Sequence, residues 1–272
     1  MPRYGSPTVL GVLLLISVTT LVSPELVPHG SKLLAEENAS LQQVSFRVVT
    51  DIFVSTQKEP VQQTLTLFSQ GVAYDISFND PNQITLVDPQ RKRIVLLNKE
   101  QQIQTEIDLQ QLHEFIDAAR KQAESSDLAP YLQGAAQVQI TDEGVTVGDR
   151  TLQYHSTLQE PREEPMAAQY AQVADALALL NGRSGVPPFA RLSLNRAVAE
   201  QKALPAEITR TIGSDSQPFV VRCKLHTNWR LSRDDEQKIA EIGKMLVNFE
   251  VVSATKFFAS RTNVADRGAA QK

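Results

Sequence analysis

The chain has 272 residues and a formal net charge of −4, from 27 Lys+Arg against 31 Asp+Glu. So small a charge excludes a strongly basic nucleic-acid binder and gives no electrostatic hold on a membrane surface. A single cysteine excludes an internal disulfide, so stability has to come from core burial, for which 42% hydrophobic residues is ordinary.

The first element is the apolar run at 9–22, VLGVLLLISVTTLV, which follows Arg3. It is shorter than the roughly 20 apolar residues a membrane span needs, so it reads as the h-region of an export signal. No A-x-A pattern follows it, and Pro24 comes directly after Ser23. An uncleaved anchor with Arg3 at the interface therefore stays open. Residues 1–31 are assigned to this signal or anchor and its linker. The expected location is extracytoplasmic, with membrane contact only through this segment if it is retained. Cys223 is far from the run, so no lipid attachment is expected behind it.

Residues 44–108 alternate with a period of two. In VSFRVVTDIFV, the residues Val44, Phe46, Val48, Ile52 and Val54 share one face, and Arg47 and Asp51 the other. Leu65 and Leu67 repeat the alternation. Val72, Tyr74, Ile76 and Phe78 follow the turn at Gln70-Gly71. Asp88-Pro89-Gln90-Arg91 carries Asp and Pro where a type I turn prefers them. Then come ITLV, RIVLL and QIQTEID. The short connections between these strands leave no room for crossover helices, which predicts an antiparallel sheet.

Asp108 is a good N-cap, with Gln111 three residues on, for a helix with Leu109, Leu112, Ile116, Ala119 and Ala123 on one stripe. Residues 135–158 return to strands as a meander with turns at Asp142-Glu143-Gly144 and Gly148-Asp149. A second helix is predicted after Pro165, striped by Tyr170, Val173, Leu177 and Leu180, with Asn181-Gly182 ending it. The stretch 189–212 fits no single pattern. PFVVRCKL and TNWRL read as strand. Ser232, with Asp235 at its third position, caps a last helix striped by Ile239, Ile242, Leu246 and Phe249. The fold expected is α+β: a curved antiparallel sheet with amphipathic helices packed against it. Residues 42–258 form one domain, with a sub-boundary near 159–165, and 260–272 is a frayed tail.

The run SQGVAYDISFNDPNQITLVDPQRKRIVLLNKEQQIQTEIDL and the helix after it resemble the periplasmic lipoprotein carriers, the LolA-like fold. The resemblance covers about residues 42–158 and rests on patterning. It implies a strongly curved half-barrel whose concave side is plugged by helices, with an apolar cavity able to take an acyl chain or a lipidated partner.

No catalytic kit is legible. His113-Glu114 begins like a zinc-protease helix, but Asp117 stands where the second histidine is needed. Cys223 and His226 are three apart, which puts them on opposite faces of a strand. His29 lies near the signal, and His155 sits in a strand beside Tyr154. A buried carboxylate converging on His155 or His226 would be needed for an enzyme. Glu163-Glu164 and Asp234-Asp235-Glu236 stand at helix N-termini, where they complement the dipole. No metal, cofactor or nucleic acid is expected. The expectation is an exported, non-catalytic protein that binds a lipid, an acyl chain, or a lipidated or envelope partner in the concave face. The alternative is a structural or interaction module of the envelope with no small ligand, and a third reading, ranked below both, is an enzyme of a kind not legible in the sequence. The candidate ligand contacts are Phe46, Val48, Ile52, Leu65, Leu67, Tyr74 and Ile76.

Overall fold

Two meanders meet in one sheet. A computed structural model of the chain describes residues 43–182, 187–213 and 218–259. The first meander runs β1 (Phe46–Val54), β2 (Gln62–Ser69), β3 (Val72–Ser77), β4 (Gln83–Asp88), β5 (Arg93–Asn98) and β6 (Ile103–Asp108), each antiparallel to the last. Helices α1 (Leu109–Ala123) and α2 (Ala129–Ala135) follow, then β7 (Val138–Thr141), β8 (Gly144–Gly148) and β9 (Leu152–Gln159). Helices α3 (Pro165–Asn181) and α4 (Phe189–Glu200) lead into β10 (Leu204–Ile212) and β11 (Phe219–Asn228). Helix α5 (Arg233–Asn248) and the short β12 (Glu250–Val251) complete the order, and residues 254–259 are helical.

The spatial order is β12-β6-β5-β4-β3-β2-β1-β11-β10-β9-β8-β7. β1 therefore sits mid-sheet between β2 and β11, and the β1–β11 pairing joins the two meanders. Every pairing is antiparallel except β12 with β6. The sheet is open, with β12 and β7 as its two edges. The described residues belong to one compact unit. The sheet runs straight through the suspected 159–165 boundary, because β9 pairs with β10. The segments 1–31 and 260–272 lie outside the described residues.

Local chemistry explains the elements that were read correctly. The Asp108 carboxylate accepts from the backbone N–H of Gln110 and Gln111 and starts α1. Ser232 and Asp235 form a full capping box at α5. Gln70 and Gly71 both have positive φ, as a type I′ hairpin turn requires. Some details differ. Gly182 ends α3 in the right-handed region (φ −58°), not as a left-handed cap. The ambiguous stretch 189–212 resolves into α4 and β10. β3 stops at Ser77, leaving Phe78 exposed. Trp229 lies just beyond β11 and packs against the core from outside the ladder.

Helices cover both faces. On one, here face A, residues of α1 to α4 share a core with Phe46, Val48, Phe68, Ala73, Val87 and Ile94. The Phe46 and Phe68 rings stack 4.0 Å apart. On the other, face B, α5 brings Ile242 onto Ile76, Ile84, Leu86, Val95 and Leu97. Arg47 points to face B and clasps Asp235 at 3.0 Å, pinning the start of α5 to β1.

Burial pushes the Asp235 carboxyl up, but the N–H and hydroxyl of Ser232 and the Arg47 guanidinium outweigh that and hold it below its ordinary value. Its stabilisation is complete above the unfolded value of about 3.9 and is lost as pH falls through the lower folded value. Asp235→Asn should cost about 2 kcal/mol at pH 7, measured by urea unfolding, and the gap to the parent should close below about pH 4. Phe46→Ala should cost about 3–5 kcal/mol in the same assay.

Candidate functional site

The register decides which predicted contacts share a surface, because directly opposed residues lie on one face. Phe46 opposes Phe68, Val48 opposes Thr66, and Ile52 opposes Gln62 and Cys223. These three candidates face α1 to α4. Leu65 opposes Ile76 and Leu67 opposes Tyr74, and these four face the α5 side. The seven candidates therefore do not line one concavity. Phe46, Val48, Leu65 and Leu67 are at most 2% exposed and are core. Ile76 is buried with them, Tyr74 is half-buried against the α5 cluster, and Ile52 is half-buried on face A. The expectation of one shared face assumed a single buried side. With α5 present, β2 to β5 are covered on both sides, so apolar residues occur at both parities.

The part of face A left open by the helices lies at the sheet's centre. The main helix contacts are with outer strands: α1 on β6, α2 on β8 and β9, α3 on β4 and β10, and α4 on β7 to β10. Over the second half of β1, Thr50, Ile52 and Val54 are only half-buried, as are Val221 and Cys223 beside them on β11. Leu177 and Leu180 on α3, Leu192 on α4 and Ile212 on β10 are likewise half-buried against the face A core.

Polar groups enter this face from both layers. Asp75 lies in a row with Val48, Thr66 and Thr85, and Thr66 donates to its carboxylate at 2.7 Å. Burial pushes the Asp75 carboxyl up, against the opposing pull of that hydrogen bond. From the helices, Arg191 donates to Asn195 at 2.8 Å, and Asn195 donates to Asp175 at 2.8 Å. Burial also raises Asp175, with Asn195 and Arg191 pulling the other way. The Tyr170 phenol, raised by burial, feels Arg191, Cys223 and Asp75. Cys223 feels Arg191 and Arg210. Tyr170 on α3 and Arg191 on α4 thus face Asp75 and Cys223 on the sheet, and Cys223 in turn feels Arg210 and Glu207 on β10. Sequence reading missed Asp75, Tyr170, Arg191, Arg210 and Cys223 as site residues. The available signal was Asp75, a carboxylate inside an apolar strand, which reads as solvent-facing unless both faces are known to be covered.

Two cavities adjoin face A. One is about 220 Å³, walled by Val44, Phe68, Gly71, Gln90, Gln169 and Val173 at the β2–β3 hairpin end. Oriented to pair, the Gln169 amide donates to the Val44 carbonyl at 3.1 Å and accepts from its N–H at 3.2 Å. A Cβ on Gly71 would meet the Gln43 amide at 2.9 Å. The other is a crevice of about 10 Å³ beside Tyr170, Asn195 and Ile208, room for one water at most.

Of the described histidines, His113 is on α1 near Asp175, and His226 and His155 make separate pairs on face B. His226 Nε2 is 3.1 Å from Asp51, and His155 Nδ1 is 2.9 Å from the Thr146 hydroxyl. β10 lies between their strands, so no carboxylate, imidazole and hydroxyl are strung together. His226 is half-exposed on a sheet surface and lines neither cavity. Among the described residues no three His, Cys, Asp or Glu side chains are grouped to hold a metal.

Burial raises the Cys223 thiol despite two nearby guanidinium groups. It should therefore alkylate with iodoacetamide far more slowly at pH 8 than a free thiol, and at the free rate in denaturant. Fast labelling of the native protein would contradict this environment. No protein-family model matches this chain and no curated protein matches it in sequence, so its function has to be read from the geometry.

Proposed function

We propose that the protein is an exported, non-catalytic binding protein of the cell envelope. It takes a lipid, an acyl chain or a lipidated partner on face A, the α1 to α4 side of a LolA-like sheet. The observation that carries this reading is the incomplete cover of face A. Among the described residues, helices lie on the outer strands and leave apolar side chains half-exposed on β1, β11 and the end of β10: Ile52, Val54, Val221 and Ile212. Apolar surface left open between sheet and helices is what an acyl chain needs, and its burial releases about 0.8 kcal/mol per CH₂. Export rests on the apolar run at 9–22, outside the described residues. No helix among the described residues is long and apolar enough to cross a membrane, so in this reading any anchoring falls to that N-terminal segment.

A second reading is an interaction module with no small ligand. The cavity sizes favour it, since about 220 and 10 Å³ fall short of the roughly 300 Å³ at which ligand pockets begin. Native mass spectrometry of protein purified from an envelope fraction separates the two. The lipid reading predicts adducts of lipid mass that dissociate on collisional activation. Repeated recovery of lipid-free protein would favour the module.

A further inference from the structure

We infer that Arg210 is the head-group site of this face and holds the carboxylate of a long-chain acid whose tail lies along face A. The inference rests on the lipid reading above and names its ligand. Arg210 projects to face A from β10, between Tyr154 on β9 and Val221 on β11, with Val54 next in the same row. A guanidinium in a row of apolar and aromatic side chains is an expensive placement. Its Nε is shut off from solvent and has no hydrogen-bond partner.

The comparison with Arg93 is informative. Its Nε also lacks a hydrogen bond, but Arg93 is neutralised by Glu106 at 2.7 Å and has Asp88 at 3.6 Å. Among the described residues Arg210 makes no ion pair. The other charges of the face are accounted for. Arg191 is tied through Asn195 to Asp175, and Asp75 to Thr66. Glu207, near in sequence, opposes Lys224 on face B.

A cation with no ion-pair partner among the described residues matches a monoanion. A side-on guanidinium offers Nε–H and Nη–H as parallel donors, which fits the two oxygens of a carboxylate. The half-buried Ile212, Val221, Val54 and Ile52 beside it match a hydrocarbon tail.

Equilibrium binding of palmitate and of hexadecanol to the full chain tests this directly, each below its aggregation threshold. The chain lengths match and only the head differs. Palmitate should bind at least about tenfold more tightly. Arg210→Gln should bring palmitate down to the hexadecanol level, with Arg93→Gln leaving the preference intact. Thermal unfolding by circular dichroism checks that each variant is folded. If Arg210→Gln does not fold, Arg210→Lys serves, because it keeps the charge and loses the fork, so the preference should fall severalfold.

Equal binding of the two probes, or a preference that survives at Arg210→Gln, would overturn the head-group assignment and leave the lipid reading standing. Binding of neither probe would overturn the lipid reading itself. Vesicles of phosphatidylglycerol that bind as tightly as palmitate, and lose binding with Arg210→Gln, would overturn the choice of carboxylate over phosphodiester.

Discussion

The pairing of β1 with β11, Arg47 opposite Asn228 through Val54 opposite Val221, turns two local meanders into one sheet. The first half is built from short hairpins, the second joins β9 to β10 through α3 and α4, and each alone would leave an edge strand with a row of unpaired backbone groups. Joining them satisfies both rows at once and places a strand from the start of the domain beside one from near its end. The chain between has to return on itself, and its helices are the covering material. α1 to α4 leave from β6 and β9 and settle on face A. α5 leaves from β11 and settles on face B, fastened at its first turn by Arg47 and Asp235. Closing this loop costs entropy that the β1–β11 pairing and the packing over it have to offset.

The same junction shapes the candidate site. β1 and β11 lie mid-sheet, whereas the connections that carry α1 to α4 leave from β6 and β9. The helices reach the outer strands on either side and bridge the middle through large side chains such as Tyr170 over Phe68. Packing is complete at the Phe46 end of β1 and thins toward Val54. Arg210 lies where it thins, since a half-buried guanidinium is tolerated only where some solvation or a partner remains. Burial raises the carboxyls of Asp75 and Asp175 and the thiol of Cys223.

What was legible in the sequence is local. The strands of the first meander, the α1 and α5 caps and the hairpin at Gln70-Gly71 each follow from a few neighbouring residues. What was not legible depends on partners far away. Alternation within β1 and within β2 is clear, yet nothing local relates their parities, so Leu65 and Leu67 were grouped with Phe46 although they face α5. β5, RIVLLN, shows the cause: its central residues are buried on both faces, which no one-sided pattern conveys. α4 was missed because its buried positions, Phe189, Ala190, Ser193, Leu194, Asn195, Ala197 and Val198, wrap too wide an arc for a stripe. Arg210 and Asp75 read as solvent-facing polar residues until the helices over them are known.

In the proposed reading, ligand enters on face A over β1, β11 and the end of β10. Methyl chemical shifts in an isotope-labelled sample, followed while a lipid is added, test it most directly, because isoleucine and valine methyls lie on both faces. The account predicts shifts at Ile52, Val54, Ile212 and Val221, with Ile76, Ile84 and Ile242 under α5 unmoved. Shifts concentrated at the α5 cluster, or at the exposed Val138 and Ile140 of edge strand β7, would contradict it.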